Sequence, residues 1–200
     1  MRLLRTMAML VALVPLGSAQ VHAASLHFTP ATRSLLEAGD VVVQNRQPTK
    51  GGIAARAIGV IDASVDAIRA VLQRCEDFHE FMPRTEKSER REKNPTDDLC
   101  FSEVDMPFPF SNLWATMRVR EEALPGGVYL RHFQMEEGTY DTNEGTWRVE
   151  PWNDDATRSL LTYEFEIEPS VALPDFIIRA AQKTTLPEVI TAVRGRLGER

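Results

Sequence analysis

The pattern of apolar and polar residues predicts about seven β-strands between residues 53 and 168. The alternation is strictest near the end of this region, where Leu161, Tyr163, Phe165 and Ile167 are separated by a threonine and two glutamates. A period of two places successive side chains on opposite faces of a sheet. Residues 53–62 differ, because small and branched residues occupy both faces there. We therefore expect that strand to be covered on both sides.

A long amphipathic helix is predicted over residues 174–197, because apolar side chains recur there at intervals of three and four. Ile177 and Ala181 belong to the apolar stripe of this helix. Pro187 interrupts the pattern, since proline lacks an N–H group and its ring crowds the preceding turn. Thr185 and the glutamate three positions later have the spacing of a capping box, so a second helical segment could begin there. We expect a kink or a short break near Thr185.

The order of the predicted elements defines the fold class. Ser64 can cap a helix after the first strand, residues 76–82 form a second short helix, and further strands precede the long helix. Short turns between consecutive strands imply an antiparallel meander with one polar face. The long helix must then cover the apolar face. The sequence therefore predicts an α+β helix-grip fold, in which a curved antiparallel sheet of about seven strands wraps around the C-terminal helix.

The chain divides into three predicted parts. Residues 1–23 have the positive start, the apolar run and the small-residue cleavage site of a signal peptide, which predicts an exported protein, periplasmic or secreted. Residues 24–52 form an N-terminal arm, with a short helix from Thr29 to Gly39 and a strand-like valine run. This arm could supply the second cover of the first strand. Residues 53–200 form the main domain. The apolar run of the first part is too short to span a membrane, and no later stretch approaches the needed length.

Charge and cysteine content narrow the possible partners. The formal net charge of −6 argues against nucleic acid and anionic membrane surfaces. The two cysteines, Cys75 and Cys100, permit one disulfide in an oxidising compartment, and two unpaired, half-buried thiols are the alternative. Neither cysteine has the sequence neighbours of a nucleophile or of a metal site.

Known catalytic motifs are missing from the sequence. It contains no nucleophile elbow, zinc-protease motif, paired Cys-x-x-Cys or glycine-rich phosphate loop. The strand at residues 128–136 nevertheless directs one polar group toward the helix: Arg131 if Tyr129 and Phe133 face inward, or His132 if the other face does. Either group could hydrogen-bond a ligand carbonyl or act in acid–base chemistry. A surface residue, or one paired with a carboxylate, is the alternative.

Two segments resemble the START-like, or SRPBCC, superfamily. Residues 57–72 (AIGVIDASVDAIRAVL) resemble its opening strand and helix, and residues 76–83 (EDFHEFMP) resemble its short second helix. The resemblance covers roughly residues 53–197 and is closest to the polyketide cyclase and coenzyme Q-binding branch. It implies an apolar cavity between the sheet and the C-terminal helix, where many members bind lipids, quinones or polyketides. Residues 107–110 (PFPF) are similar to a loop at the cavity mouth of lipid-binding relatives, although residues 111–114 (SNLW) replace the Asp-Arg pair of some of them.

The predicted ligand site combines large inner side chains of the strands, apolar residues of the helix and aromatic residues of the expected mouth. Its candidate residues are Phe81, Phe108, Phe110, Met117, Arg131, His132, Phe133, Trp147, Tyr163, Phe165, Ile177 and Ala181. We expect a non-enzymatic carrier for a lipid, quinone or polyketide-like molecule, with no cofactor, no metal and no nucleic-acid partner. The mature chain should contain no transmembrane segment but could touch a membrane transiently. A cyclase or aromatase acting on a polyketide-like substrate and a ligand-free scaffold are the alternatives.

Overall fold

The computed structural model describes residues 27–153 and 155–198 of the 200-residue chain. The predicted signal peptide lies outside the described residues. The strands are β1 (Val42–Arg46), β2 (Ile53–Ile61), β3 (Thr85–Lys93), β4 (Asp98–Val104), β5 (Leu113–Leu124), β6 (Val128–Gly138), β7 (Tyr140–Trp152) and β8 (Asp155–Pro169). The α-helices are α1 (Pro30–Glu37), α2 (Val65–Leu72), α3 (Phe78–Phe81), α4 (Asp175–Ala180) and α5 (Leu186–Gly198). A 3₁₀ turn (Cys75–Asp77) precedes α3, and a π-helical segment (Ala181–Thr185) joins α4 to α5.

The strands form one antiparallel sheet in the order β1-β2-β8-β7-β6-β5-β4-β3. Strands β3 to β8 follow one another as a meander, and β8 then pairs with β2, so α2 and α3 lie in the connection that crosses from β2 to β3. The predicted α+β helix-grip fold is confirmed. The eighth strand is β1, which the N-terminal arm adds beside β2.

Strand β2 is covered on both faces, as its residues predicted. Ala55 and Ala57 face the main core, which also contains residues of α5. Ile58 and Val60 point to the other side and belong to a second cluster with Leu36 of α1. Small alanines on one face allow a helix to approach the sheet closely, while the branched residues on the other face fill the space beneath α1.

The C-terminal helix runs without a break through the position of Pro187. The expected irregularity occurs as a widened π turn, in which Thr185 makes no capping hydrogen bond and Leu186 keeps helical backbone angles. In an α-helix the ring of Pro187 would press on the carbonyl of Lys183. A wider turn just before the proline relieves this crowding, so the helix can continue instead of restarting at a new cap.

A disulfide links Cys75 of the 3₁₀ turn to Cys100 of β4, with the two Cα atoms 6.2 Å apart. Both cysteines are buried, at 4% and 6% exposure. The bond fastens the segment between α2 and α3 to the middle of β4, the strand next to the edge strand β3.

Candidate functional site

A cavity of about 460 Å³ lies between the inner face of the sheet and the first half of the C-terminal helix. Its wall on the helix side includes Ile177 and Ala181, and its wall on the sheet side comes mainly from β4 to β8. The cavity exists because the helix approaches the sheet unevenly. On α5, Ile190 is fully buried, and a Cβ on Gly59 of β2 would lie 2.6 Å from its Cγ2 atom. On α4, by contrast, Ile177 is the single buried residue, and the π segment has none.

Four aromatic rings form a continuous wall on the sheet side. Tyr163 stacks on Trp147 at a ring-centroid distance of 4.2 Å and on Phe133 at 6.0 Å, and Phe165 lies 5.5 Å from Tyr163. Gly145 lies between Phe133 and Phe165 in the register of β6, β7 and β8. A Cβ at Gly145 would collide with the ring of Phe133. The glycine therefore lets this ring lie against the sheet and widens the cavity in front of it.

A buried ion pair lies at one end of the aromatic wall. Arg131 is only 2% exposed, lines the cavity and donates to Glu121 Oε1 over 2.5 Å. Its Nη2 atom is 3.9 Å from the sulfur of Cys100, so the disulfide also borders the cavity here. Burial opposes ionisation of Glu121, but the hydrogen bond from Gln73 and the charge of Arg131 hold its pKa below the usual value. Glu121 is thus a carboxylate at neutral pH, and its Oε2 atom also lies 3.6 Å from Nη2 of Arg69, a cation that is partly exposed to water.

The mouth of the cavity lies between two loops. Pro107 on one side and Leu173 and Phe176 on the other line its edge. The first loop is fixed at its base, because Arg84 Nη2 bonds Asp105 Oδ2 over 2.7 Å and Asn112 Oδ1 accepts from the backbone N–H of Met106 over 3.2 Å. These two hydrogen bonds hold the first loop in place, and the rim presents apolar side chains to solvent.

Eight of the twelve candidate site residues line this cavity. They are Met117, Arg131, Phe133, Trp147, Tyr163, Phe165, Ile177 and Ala181. The inward face of β6 is that of Tyr129, Arg131 and Phe133, which settles the alternative that the sequence left open. His132 points to the opposite face, where its Nδ1 is 3.0 Å from Thr146 Oγ1 and half of its side chain is exposed.

The other three candidates are aromatic residues that lie outside the cavity lining. Phe81 packs edge-on against Phe78, and the guanidinium of Arg196 lies over its ring, so Phe78 reaches the cavity instead. Phe108 is 98% exposed and Phe110 is half-buried away from the cavity. These three residues were expected at the mouth of the cavity, and their side chains do not line it, because aromatic character alone does not determine the direction of a side chain.

Several cavity residues were missed by sequence reasoning. Tyr140 and Asn143 of β7 line the cavity, although a register irregularity between Tyr140 and Thr142 breaks the alternation that could have placed them. Gln182 and Thr185 also line it, because they lie on the π segment rather than on a regular helix. Burial raises the pKa of Tyr140 to about 12, and it likewise raises the pKa of Tyr163. Both phenols are therefore neutral donors at physiological pH.

The outer face of the sheet carries a different, charged groove of about 570 Å³. Glutamates on this face are paired with cations: Glu164 with Arg46 and Arg56, and Glu144 with Lys50. His132 lines this groove and lies 3.8 Å from Glu122.

Within residues 27–153 and 155–198, no group of three or more histidine, cysteine or acidic side chains is placed to hold a metal ion. No helix of this part of the chain has both the length and the apolar character needed to cross a membrane.

The fold and the cavity together define a helix-grip protein with an internal site of ligand size. The chain belongs to the family described as polyketide cyclase / dehydrase and lipid transport, whose model matches residues 61–194. A search of curated proteins found no significant match.

Solved structures with the same fold include lipid-transfer proteins and a cyclase. A STAR-related lipid transfer protein from Xanthomonas axonopodis is 19% identical, with a TM-score of 0.68 over 79% of this chain and 93% of that chain. The human StarD13 lipid transfer and protein localization domain is 12% identical, with a TM-score of 0.66 over 86% of this chain and 98% of that domain. The Zhui aromatase/cyclase from Streptomyces sp. R1128 is 18% identical, with a TM-score of 0.56 over 74% and 94%. These identities establish a shared fold.

Proposed function

We propose that this protein is a non-enzymatic carrier that holds one hydrophobic small molecule between its sheet and its C-terminal helix. The aromatic-walled cavity of about 460 Å³ is the observation that carries the proposal. Its volume lies in the range of small-molecule sites, and its lining is apolar with a few polar groups, as such sites are. The family description and the names of two of the structural relatives, which refer to lipid transport or transfer, support the same reading.

The polar groups of the cavity favour a carrier over the cyclase alternative. Its two cationic residues, Arg84 and Arg131, are each paired with a carboxylate, Asp105 and Glu121 respectively. A general acid or base works best when its pKa is near the working pH. The raised pKa values of Tyr140 and Tyr163 move these phenols away from that range. The cavity lining is therefore suited to binding. Each methylene group of a ligand that it removes from water contributes about 0.8 kcal/mol to the binding free energy, before the cost of ordering the ligand.

The rim suggests how a ligand enters. Four large apolar side chains are exposed in the described part of the chain: Leu35, Phe108, Val171 and Phe176. The last three belong to the two loops around the mouth or to the start of α4, with Phe108 at 98% and Phe176 at 63% exposure. Cations near them are paired, Arg84 with Asp105 and Arg179 with Asp175. We infer that the rim inserts transiently into an uncharged lipid surface by apolar contact, and that the ligand passes directly between membrane and cavity.

Export is part of the proposal. It rests on the signal-peptide pattern of residues 1–23, and a buried disulfide is in keeping with an oxidising compartment. Mass measurement of the protein recovered from the medium or the periplasm should show that the first 23 or the first 19 residues have been removed, since small-residue cleavage sites end at Ala23 (Val21-His22-Ala23) and at Ala19 (Gly17-Ser18-Ala19). Recovery of the full chain from the cytoplasm alone would contradict export.

The carrier function is tested by uptake of N-phenyl-1-naphthylamine, a neutral probe that fluoresces in apolar surroundings. The wild type should bind one equivalent, and Ala181→Trp should weaken binding at least about tenfold, because an indole at this lining position occupies the cavity. Ala70→Trp is the matched control, since Ala70 is an exposed helical alanine away from the cavity. Equal binding by Ala181→Trp and the wild type, or no uptake of this probe or of fluorescent fatty acids, would refute the carrier.

A further inference from the structure

The cavity contains a second polar region that is separate from the Arg131–Glu121 pair. Tyr140, Asn143 and Tyr163 contribute it from the sheet, and Gln182 contributes it from the π segment. All four carry neutral hydrogen-bonding side chains. None of these side chains makes a hydrogen bond to another group within residues 27–153 and 155–198, and none of their polar atoms belongs to the fully buried, unsatisfied set. Their hydrogen-bonding capacity is therefore open to the cavity that they line.

The position of these groups follows from two local departures from regular structure. The register of β7 against β8 shifts between Tyr140 and Thr142, and this shift leaves both Tyr140 and Asn143 at the cavity wall. On the opposite side, the π turn before Pro187 brings Gln182 to the same cavity. Single π turns are often found at functional sites, since the wider turn redirects side chains. The phenols of Tyr140 and Tyr163 lie close enough that a charge on one opposes ionisation of the other.

The charge balance of the cavity indicates what such a region can receive. Arg131 has its counter-ion in Glu121 at 2.5 Å, and Arg69, which also contacts Glu121, does not line the cavity and is 45% exposed, so an acidic ligand would find no unpaired cation in this apolar space. Phenol and amide groups, in contrast, suit carbonyl and hydroxyl oxygens, which carry no charge. The adjoining wall of Phe133, Trp147 and Tyr163 is flat and stacked, a surface that matches a planar ring better than a flexible chain.

We propose that Tyr140, Asn143, Tyr163 and Gln182 form a hydrogen-bonding subsite for the oxygen atoms of an uncharged, planar ring compound that stacks on the aromatic wall. This inference rests on the carrier function and names the class of molecule carried. The phenols donate to ligand oxygens, while the two amides can donate or accept. A saturated fatty acid lacks the ring, and its carboxylate would lose its hydration in an apolar cavity, so it would bind more weakly.

The test compares two probes of the same shape, 2-methyl-1,4-naphthoquinone and 2-methylnaphthalene, together with dodecanoic acid, by equilibrium dialysis. The wild type should prefer the quinone over the hydrocarbon by about tenfold or more, since unmade buried hydrogen bonds weaken binding by about this factor. Tyr163→Phe and Asn143→Leu should each lower this preference about three- to tenfold, with little change in hydrocarbon binding. Tyr129→Phe is the matched control, because Tyr129 is buried outside the cavity lining.

The outcomes separate the inference from the carrier function on which it rests. Binding of dodecanoic acid with no uptake of either ring compound would overturn the subsite and leave the carrier standing. Binding of no probe would overturn the carrier itself. A quinone preference that Tyr163→Phe and Asn143→Leu leave unchanged, in variants whose thermal unfolding matches that of the wild type, would also overturn the subsite.

Discussion

The two halves of the C-terminal helix differ in their relation to the sheet. In α5, Leu186, Ile190 and Val193 are buried, and Ile190 touches the position of Gly59 on β2. In α4 only Ile177 is buried, and Phe176 is largely exposed. The π segment separates the two halves. The comparison shows that one helix can close a hydrophobic core with its second half and leave space for a ligand under its first.

The largest effect should come from deleting a core contact of α5. Ile190 is fully buried, so Ile190→Ala should lower the free energy of unfolding by about 4 kcal/mol, through lost burial and the cavity left behind. Ile178→Ala, at a half-buried position that borders the cavity on α4, should cost less than about 1.5 kcal/mol. Urea unfolding of both variants measures the difference. Equal losses would show that the two halves are packed alike.

The disulfide should have the next largest effect on stability. It ties the 3₁₀ turn before α3 to β4, and both of its cysteines line the cavity. Replacing Cys75 and Cys100 together by alanine should cost about 3.5 kcal/mol, the loop-closure value for a separation of 25 residues. Thiol titration of the denatured, unreduced wild type should find no free thiol. Two free thiols, or an unchanged unfolding midpoint in the double variant, would contradict the bond.

Removal of the apolar rim should affect membrane contact and leave stability alone. Phe108→Ser combined with Phe176→Ser should reduce flotation with phosphatidylcholine vesicles at least about tenfold, since each exposed phenyl ring loses its burial in lipid. Leu35→Ser is the control, because Leu35 is 48% exposed on α1, away from the mouth. Binding should not weaken with added salt. Strong salt dependence, or equal flotation of the double variant, would show that the rim is not the contact.

The smallest effect concerns Tyr140 and appears only at high pH. Burial raises its pKa from 10.0 to about 12, so the unfolded chain releases the proton first as the pH rises. The contribution of this phenol to stability is complete below pH 10.0 and is lost as the pH rises toward about 12. Tyr140→Phe should therefore lose less stability over this interval than the wild type does. The free energies of unfolding of both proteins are measured with urea at each pH. If they fell in parallel between pH 10 and pH 12, the phenol of Tyr140 would be exposed to water in the folded protein.

The regular and the irregular parts of the structure differ in how far the sequence could predict them. Regular alternation, as at Leu161 to Ile167, predicted the sheet and its inner residues, and the apolar stripe predicted a covering helix. The choice between Arg131 and His132 could not be made from a period of two, because either face was consistent with the pattern. It depends on Glu121, which is ten positions away in the sequence and opposite Arg131 in the sheet.

The remaining errors arose where the backbone departs from regular geometry. A register shift lets both Tyr140 and Asn143 line the cavity, and a π turn brings Gln182 to it, so neither strand nor helix periodicity applies. Pro187 did indicate the irregular turn, but a widened turn and a broken helix are both compatible with a missing N–H group. Phe108 lies in the loop beside the cavity mouth, where it was expected, but its side chain is exposed and does not line the cavity.

The most direct test of the central claim is hydrogen exchange with and without saturating N-phenyl-1-naphthylamine. The account predicts that the ligand slows exchange in residues 175–185, which cover the cavity, and changes exchange in residues 190–198 very little, because that part of α5 is already packed on the sheet. Slowed exchange along the whole helix, or protection confined to the outer face of the sheet, would contradict a ligand site beneath α4.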